Sequence, residues 1–274
     1  MSPTRSRPLR DLLRVKPGST FRLADIDPAE THGRDKEASL ATLQTGLERL
    51  SELQDKLWAE AKHPVLVVLQ GIDTAGKGGT LKHVMGAFQP AGCSVTSFKV
   101  PTAPELAHDY LWRIHQRTPG KGEIGVFDRS HYEDVLIVRV HDIVPKERWS
   151  RRFDHINDWE KMLADEGTTI VKFFLWISKD EQRERLQARL DEPDKRWKFR
   201  LGDLDERKRW DEYVAAYDEA LERCSTDHAP WYVIPANRKW FRNLAVTEIL
   251  GDTIAALKPV YPKPPEDLTG VTVE

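Results

Sequence analysis

Leucines at positions 40, 43, 47, 50, 53 and 57 are spaced by three and four, so residues 37 to 62 predict a long helix with one apolar stripe, widened by Trp58. Such a stripe suits a helix that covers a sheet or meets a second copy of the chain. The period then changes. Residues 65 to 69 form an unbroken apolar, β-branched run, runs of this kind recur at 124 to 127, 170 to 177 and 231 to 235, and the more polar 94 to 99 is a further strand candidate. Helical stretches separate them, one near 78 to 89 and another carrying Glu105, His108, Asp109 and Trp112. Five strands alternating with helices predict an α/β fold, a parallel sheet wrapped on both faces whose ligands gather at the strands' carboxyl ends.

The flanks read differently. Residues 1 to 36 are basic and then turn-rich, with Pro8, Pro17-Gly18 and Pro28, and predict an extension draped over the domain. The tail from 258 to 274 is rich in proline and predicts a loose strap. With 274 residues and 39% hydrophobic positions, one domain is enough to account for the whole chain.

The chemistry starts where the first strand ends. Gly71-Ile-Asp73-Thr-Ala75-Gly76-Lys77-Gly78-Gly79 crosses a short loop and opens a helix. Glycines let backbone N–H groups curl around an anion, Lys77 adds a point charge, and the helix dipole adds to both. Most loops of this kind place Ser or Thr after the lysine to hold magnesium. Gly78 stands there instead, which moves the metal to another ligand, with Asp73 the nearest candidate. A second motif, Phe127-Asp128-Arg129-Ser-His-Tyr-Glu133-Asp134, ends a short strand in an aspartate suited to the same metal, beside an arginine that can reach phosphates in flight.

Between the last two strands lies a basic segment, about 183 to 210, that includes Arg185, Arg189, Lys195, Arg196, Lys198 and Arg200. Interleaved acids would suit a solvated helical surface. As a group the cations predict a mobile helical lid closing over phosphates.

Net charge is −2 with 31% charged residues, so no global basic field points to nucleic acid or an anionic membrane. Cys93 and Cys224 are the only cysteines and stand in no redox or metal spacing, which fits a reducing cytoplasm. Residues 1 to 8 lack an apolar signal-peptide core, and no apolar run approaches a membrane span.

Four ordered motifs resemble the type-2 polyphosphate kinase family. They are the Asp73-to-Gly79 loop with its double glycine, the Asp128-to-Asp134 segment, Leu190-Asp-Glu-Pro-Asp-Lys-Arg-Trp-Lys198-Phe, and Pro235-Ala-Asn237-Arg-Lys-Trp-Phe-Arg-Asn-Leu-Ala. The resemblance spans residues 10 to 258. It implies a P-loop kinase-like three-layer sandwich with a helical lid. It also implies magnesium-dependent, reversible transfer (manganese as a substitute) from inorganic polyphosphate to AMP, ADP and GDP-type nucleotides by a cytoplasmic homodimer or homotetramer.

Carried onto this sequence, the resemblance makes Asp73 and Asp128 the metal carboxylates. Lys77 and Arg129 become the groups around the reacting bond. Gly71, Ala75, Gly76, Gly78, Gly79, Lys82, Arg189 and Lys198 become phosphate contacts, and Lys99, Thr102 and Glu133 nucleotide contacts. Members restricted to nucleoside diphosphates read Trp-Tyr-Asn-Arg where this chain reads His-Tyr-Glu133-Asp, which points to the family's third class, acting on mono- and diphosphates. Two other readings stay open: an ATP-dependent nucleoside monophosphate kinase of the thymidylate type, and a non-catalytic nucleotide-binding regulator.

Overall fold

The computed structural model describes residues 7–269 and 271–273. Its strands are β1 (Val65–Gly71), β2 (Cys93–Ser97), β3 (Ile124–Asp128), β4 (Thr169–Trp176) and β5 (Trp231–Pro235). All pairings are parallel, in the order β2-β3-β1-β4-β5. Helices α1 (Leu9–Leu13) and α2 (Lys36–Glu60) precede β1, and α3 (Lys77–His83) leads toward β2. Between β2 and β3 lie α4 (Ala103–Leu106) and α5 (Trp112–His115). Between β3 and β4 lie α6 (Ile137–Val140), α7 (Lys146–Trp149) and α8 (Arg152–Asp165). Then come α9 (Lys179–Asp191), α10 (Gly202–Lys208) and α11 (Trp210–Cys224), and after β5 the closing α12 (Lys239–Ala256).

Every residue of β1 is buried, as a central strand covered on both faces requires. Lys172 and Phe174 share one face of β4 and meet α8 and α11. On the other face α12, backed by α2, covers β4 and β5. Asp35 caps α2 by accepting from the Ala38 N–H at 3.0 Å, and Ala61 ends it in a left-handed conformation. Within the stripe, Leu50 and Leu57 are fully buried, while Leu40 is 52% exposed. The helix packs on α12 rather than on the sheet itself, and its 25 residues exceed the 18 of α12.

The helix after the cradle is shorter than the 78 to 89 expected from sequence. It ends at His83, and a separate turn, Met85–Ala87, follows before Pro90. The N-terminal extension is also more tightly held than a drape. Leu9, Leu13, Val15 and Leu23 are buried, the Val15 N–H donates to the Trp231 carbonyl at 2.9 Å, and Arg14 bridges Tyr232 antiparallel. The exposed edge of β5 is thereby covered. Residues 1 to 6 lie outside the described residues.

One charged residue sits inside the sheet. Lys172 is fully buried on β4; its ammonium donates to Glu160 Oε2 at 2.5 Å, Tyr132 Oη at 2.7 Å and the Cys224 carbonyl at 2.8 Å. Glu160 Oε1 in turn accepts from Tyr132 at 3.0 Å and lies 3.1 Å from His131 Nε2. Burial alone would raise the Glu160 carboxyl, but Lys172 and His131 hold it below its usual range. The network ties α8 and the end of α11 to the turn after β3, which carries the second motif. Glu160→Ala should strand the Lys172 charge and lower the unfolding free energy in urea by about 3–5 kcal/mol, with the Lys172→Met/Glu160→Leu double variant recovering most of it. A single variant within about 1 kcal/mol of wild type would show that the pair is not coupled.

Candidate active site

At the end of β1 the backbone must turn hard beside a neighbouring strand. A side chain on Gly71 would come within 2.9 Å of the Leu175 carbonyl, and Gly76 sits at φ +110°, where glycine is favoured. Thr74 takes a left-handed conformation between them. Arg185, on α9, fixes this loop. Its Nη1 donates to the Thr74 and Ala75 carbonyls at 2.9 and 3.0 Å, and its Nη2 to the Ala236 and Asn237 carbonyls at 2.7 and 3.1 Å. Glu181 accepts from its Nε at 2.7 Å, and Gln182 Nε2 donates to the Asp73 carbonyl at 3.2 Å. Arg185 is therefore a clamp between the P-loop and the loop after β5 rather than a cation of a moving lid. Lys77 donates to the Gly71 carbonyl at 2.6 Å, and burial pushes its ammonium below the usual lysine range against the pull of Asp73.

The second wall comes from β3. Asp128 is its last residue, and its Oδ2 accepts from Ser97 Oγ at 3.0 Å. Arg129 takes a left-handed φ of 62°, an uncommon conformation for its type and one that clusters at functional sites. It turns back toward the loop and donates from Nη2 to Asp73 Oδ1 at 3.1 Å. Burial works against its charge, but Glu133 and Asp73 outweigh it and raise the guanidinium above its ordinary value. For Glu133 burial prevails, and its carboxyl is raised although Arg129 and Lys77 oppose this. Gln70 supports the turn from below: its Nε2 donates to Ser130 Oγ at 3.2 Å, and Tyr217 donates to its Oε1 at 3.4 Å.

These walls enclose a cavity of about 280 Å³, with Asp73, Arg129 and Glu133 on one side and Arg200, Glu206 and Tyr213 on the other. The far side belongs to the hairpin α9–α10 and to α11. Glu206 is held there by Tyr213 Oη at 2.6 Å and His141 Nε2 at 3.1 Å. The structure brings Asp73, Arg129 and Glu133 to the cavity wall, with Lys77 and Asp128 beside them. Two expected lid contacts are elsewhere: Arg189 donates to the Lys198 carbonyl at 3.2 Å and Asp203 Oδ2 at 3.4 Å, inside the hairpin, and Lys198 lies over the exposed Trp197 ring. Arg200 is the basic-segment residue on the wall.

Lys99 and Thr102 also lie off the cavity. Arg113 donates to the Lys99 carbonyl at 2.8 Å, and the Thr102 hydroxyl donates to Glu105 at 2.9 Å in a helix cap. Lys82 is exposed in the last turn of α3, Ala75 is buried, and Gly78 faces open space. Reading the sequence missed Gln70, Gln182, Glu206, Tyr213, Tyr217 and Arg242. A polar residue ending an apolar strand was the available signal for Gln70, and a charge beside Phe241 and Leu244 on an apolar helix face was the signal for Arg242.

No group of three or more His, Cys, Asp or Glu side chains among the described residues could hold a metal by itself. The aspartate pair still fits magnesium. Hydrogen bonds among the described residues engage one oxygen each of Asp73 and Asp128, so the other oxygen of each would be open to a hard cation.

A clamped P-loop with a strand-end Asp-Arg pair beneath a helical hairpin defines a phosphotransferase of the P-loop kinase type. The family model described as Polyphosphate kinase 2 (PPK2) matches residues 31–261, and the chain belongs to that family. It is 53% identical to the AMP/ADP-polyphosphate phosphotransferase of Meiothermus ruber over 95% of this chain and 98% of that one. It is 47% identical to the ADP-polyphosphate phosphotransferase of Rhodopseudomonas palustris over 83% of each. Its fold is similar to the crystal structure of polyphosphate kinase 2 from Arthrobacter aurescens TC1, with a TM-score of 0.93, 48% identity and coverage of 96% and 95% of the two chains.

Directly behind Glu133, burial pushes the Asp134 carboxyl up to about 6, although Arg152 donates to it at 2.9 Å. The folded state then holds this proton more tightly than the unfolded chain, whose ordinary value is 3.8. Its stabilisation is complete below that value and is lost as pH rises through about 6. Between pH 4 and 7 the wild type should lose unfolding free energy relative to Asp134→Asn by roughly 2.5 kcal/mol. A difference that stays flat with pH would contradict the shift.

Proposed function

We propose that this protein transfers phosphoryl groups reversibly from inorganic polyphosphate to both AMP and ADP, and to GMP and GDP, in the cytoplasm as a homodimer or homotetramer. The observation that carries the acceptor range is Glu133. It stands on the cavity wall facing Arg129, where burial favours its neutral form. An acceptor that varies by one phosphate changes the charge of the cavity, and a carboxyl that takes up a proton offsets the change. The relatives' names add support, since one carries AMP and ADP together and both carry polyphosphate as partner. An ATP-dependent thymidylate-type kinase or a silent regulator has no such support. With a net charge of −2, any polyanion must be held by local cations, and no helix among the described residues is long and apolar enough to cross a membrane.

The chain's own groups divide the work. Backbone N–H groups of the P-loop and Lys77 hold the transferring phosphoryl group, and Arg129 neutralises charge on its equatorial oxygens. Asp73 and Asp128 would hold magnesium, which supplies Lewis-acid charge to the phosphates. Transfer needs the acceptor oxygen in line with phosphorus, and the clamped loop provides that orientation.

Purified protein with magnesium and polyphosphate as sole donor should convert AMP to ADP and then to ATP, with GMP and GDP also accepted. Use of ATP alone as donor, or no use of AMP, would reject the reading. Asp73→Asn and Asp128→Asn should each lower kcat about a hundred- to a thousandfold while the fold survives. Near-normal turnover of either variant at ordinary magnesium would remove that aspartate from the metal.

A further inference from the structure

Arg242 stands in the first turn of α12 and is 3% exposed. Its guanidinium is pressed against the P-loop backbone. A methyl group on Gly79 would come within 2.9 Å of Nη2, and one on Gly76 would overlap Nη1. No carboxylate among the described residues pairs with it. Its hydrogen bonds run from Nε and Nη2 to the neutral Asn243 Oδ1, at 3.1 and 2.8 Å, and none among the described residues engages Nη1. Burial, with Arg185 nearby, lowers the guanidinium to about 10, which still leaves it charged at neutral pH. A buried cation beside a second cation is costly unless an anion answers it.

Sheet order says which anion. In-line transfer places the acceptor and the remainder of the donor on opposite sides of phosphorus. Asp128, Arg129 and Glu133 all follow from β3, on one side of β1, whereas Arg185 and Arg242 follow from β4 and β5, on the other. The acceptor-side groups thus leave the β4–β5 flank to the donor.

We propose that Arg242 is a donor-binding residue: its Nη1 takes an oxygen of the polyphosphate segment next to the transferring phosphoryl group, and the chain leaves the site past the β5–α12 junction. This rests on polyphosphate being the donor. It also explains Gly79, since any side chain there would displace the guanidinium.

The test is steady-state kinetics with each substrate varied in turn, alongside calorimetric binding of tripolyphosphate in the absence of nucleotide. Arg242→Gln should raise the KM for polyphosphate at least tenfold and weaken tripolyphosphate binding by a similar factor, with the KM for AMP within about twofold. Arg242→Lys, which keeps the charge, should recover part of the loss. Gly79→Ala keeps its N–H and should reproduce the donor defect by displacing Arg242, with no added effect in the Arg242→Gln background. Unchanged donor affinity in a folded Arg242→Gln, or equal losses for both substrates, overturns the proposal. If Arg242→Gln does not fold, Arg242→Lys and Gly79→Ala decide by the same split between donor and acceptor. Absence of polyphosphate use by the wild type would instead be a failure of the functional reading.

Discussion

Arg185 gives its guanidinium to four backbone carbonyls, two from the P-loop and two from the loop after β5, and that clamp is the contact on which the site's geometry depends. A phosphate cradle works only if its N–H groups already point inward, and a loop with Thr74 and Gly76 at positive φ would not hold that shape from local preference alone. Glu181 orients the clamp by accepting from its Nε. From the other side, Arg129 closes onto Asp73, so the loop is held between cations contributed by β3 and β4. The buried Lys172–Glu160 pair serves the same end at one remove, by fixing the turn that presents Glu133. The loop is thus held by charges satisfied by backbone oxygens and carboxylates, with Ile72 and Ala75 buried beneath it.

Much of the fold was legible because parallel strands buried on both faces must read as apolar runs. The run at 231 to 235 coincides with β5, and the run at 124 to 127 lacks only Asp128, whose side chain belongs to the site. β2 was the least legible. It is a largely exposed edge strand of Ser, Val and Thr, and its limits shifted toward Cys93. The leucine stripe marked the helix but could not show that it packs on α12 or that Leu40 stays exposed.

The site was legible where chemistry is local and obscure where it is tertiary. Asp73, Lys77, Asp128 and Arg129 lie within two short motifs whose spacing fixes what they face. The basic segment carries no such spacing. Arg185, Arg189 and Arg200 look equivalent in sequence, yet one clamps the P-loop, one braces the hairpin and one lines the cavity. What separates them is the identity of the nearest carbonyl or carboxylate, which only the folded hairpin determines. Arg242 was hidden for the same reason, since the glycines that make room for it lie far away in sequence.

In the proposed geometry, acceptor and donor approach the clamped P-loop from opposite flanks, the acceptor along the β3 side and polyphosphate along the β5 side. A crystal structure of the protein with AMP, magnesium and a non-transferable polyphosphate analogue measures this directly. The AMP phosphate is expected beside Arg129 and Glu133, and the analogue is expected to leave the P-loop between Arg185 and Arg242. An analogue running out past Asp128 on the β3 side, or AMP seated at the β5–α12 junction, would contradict it.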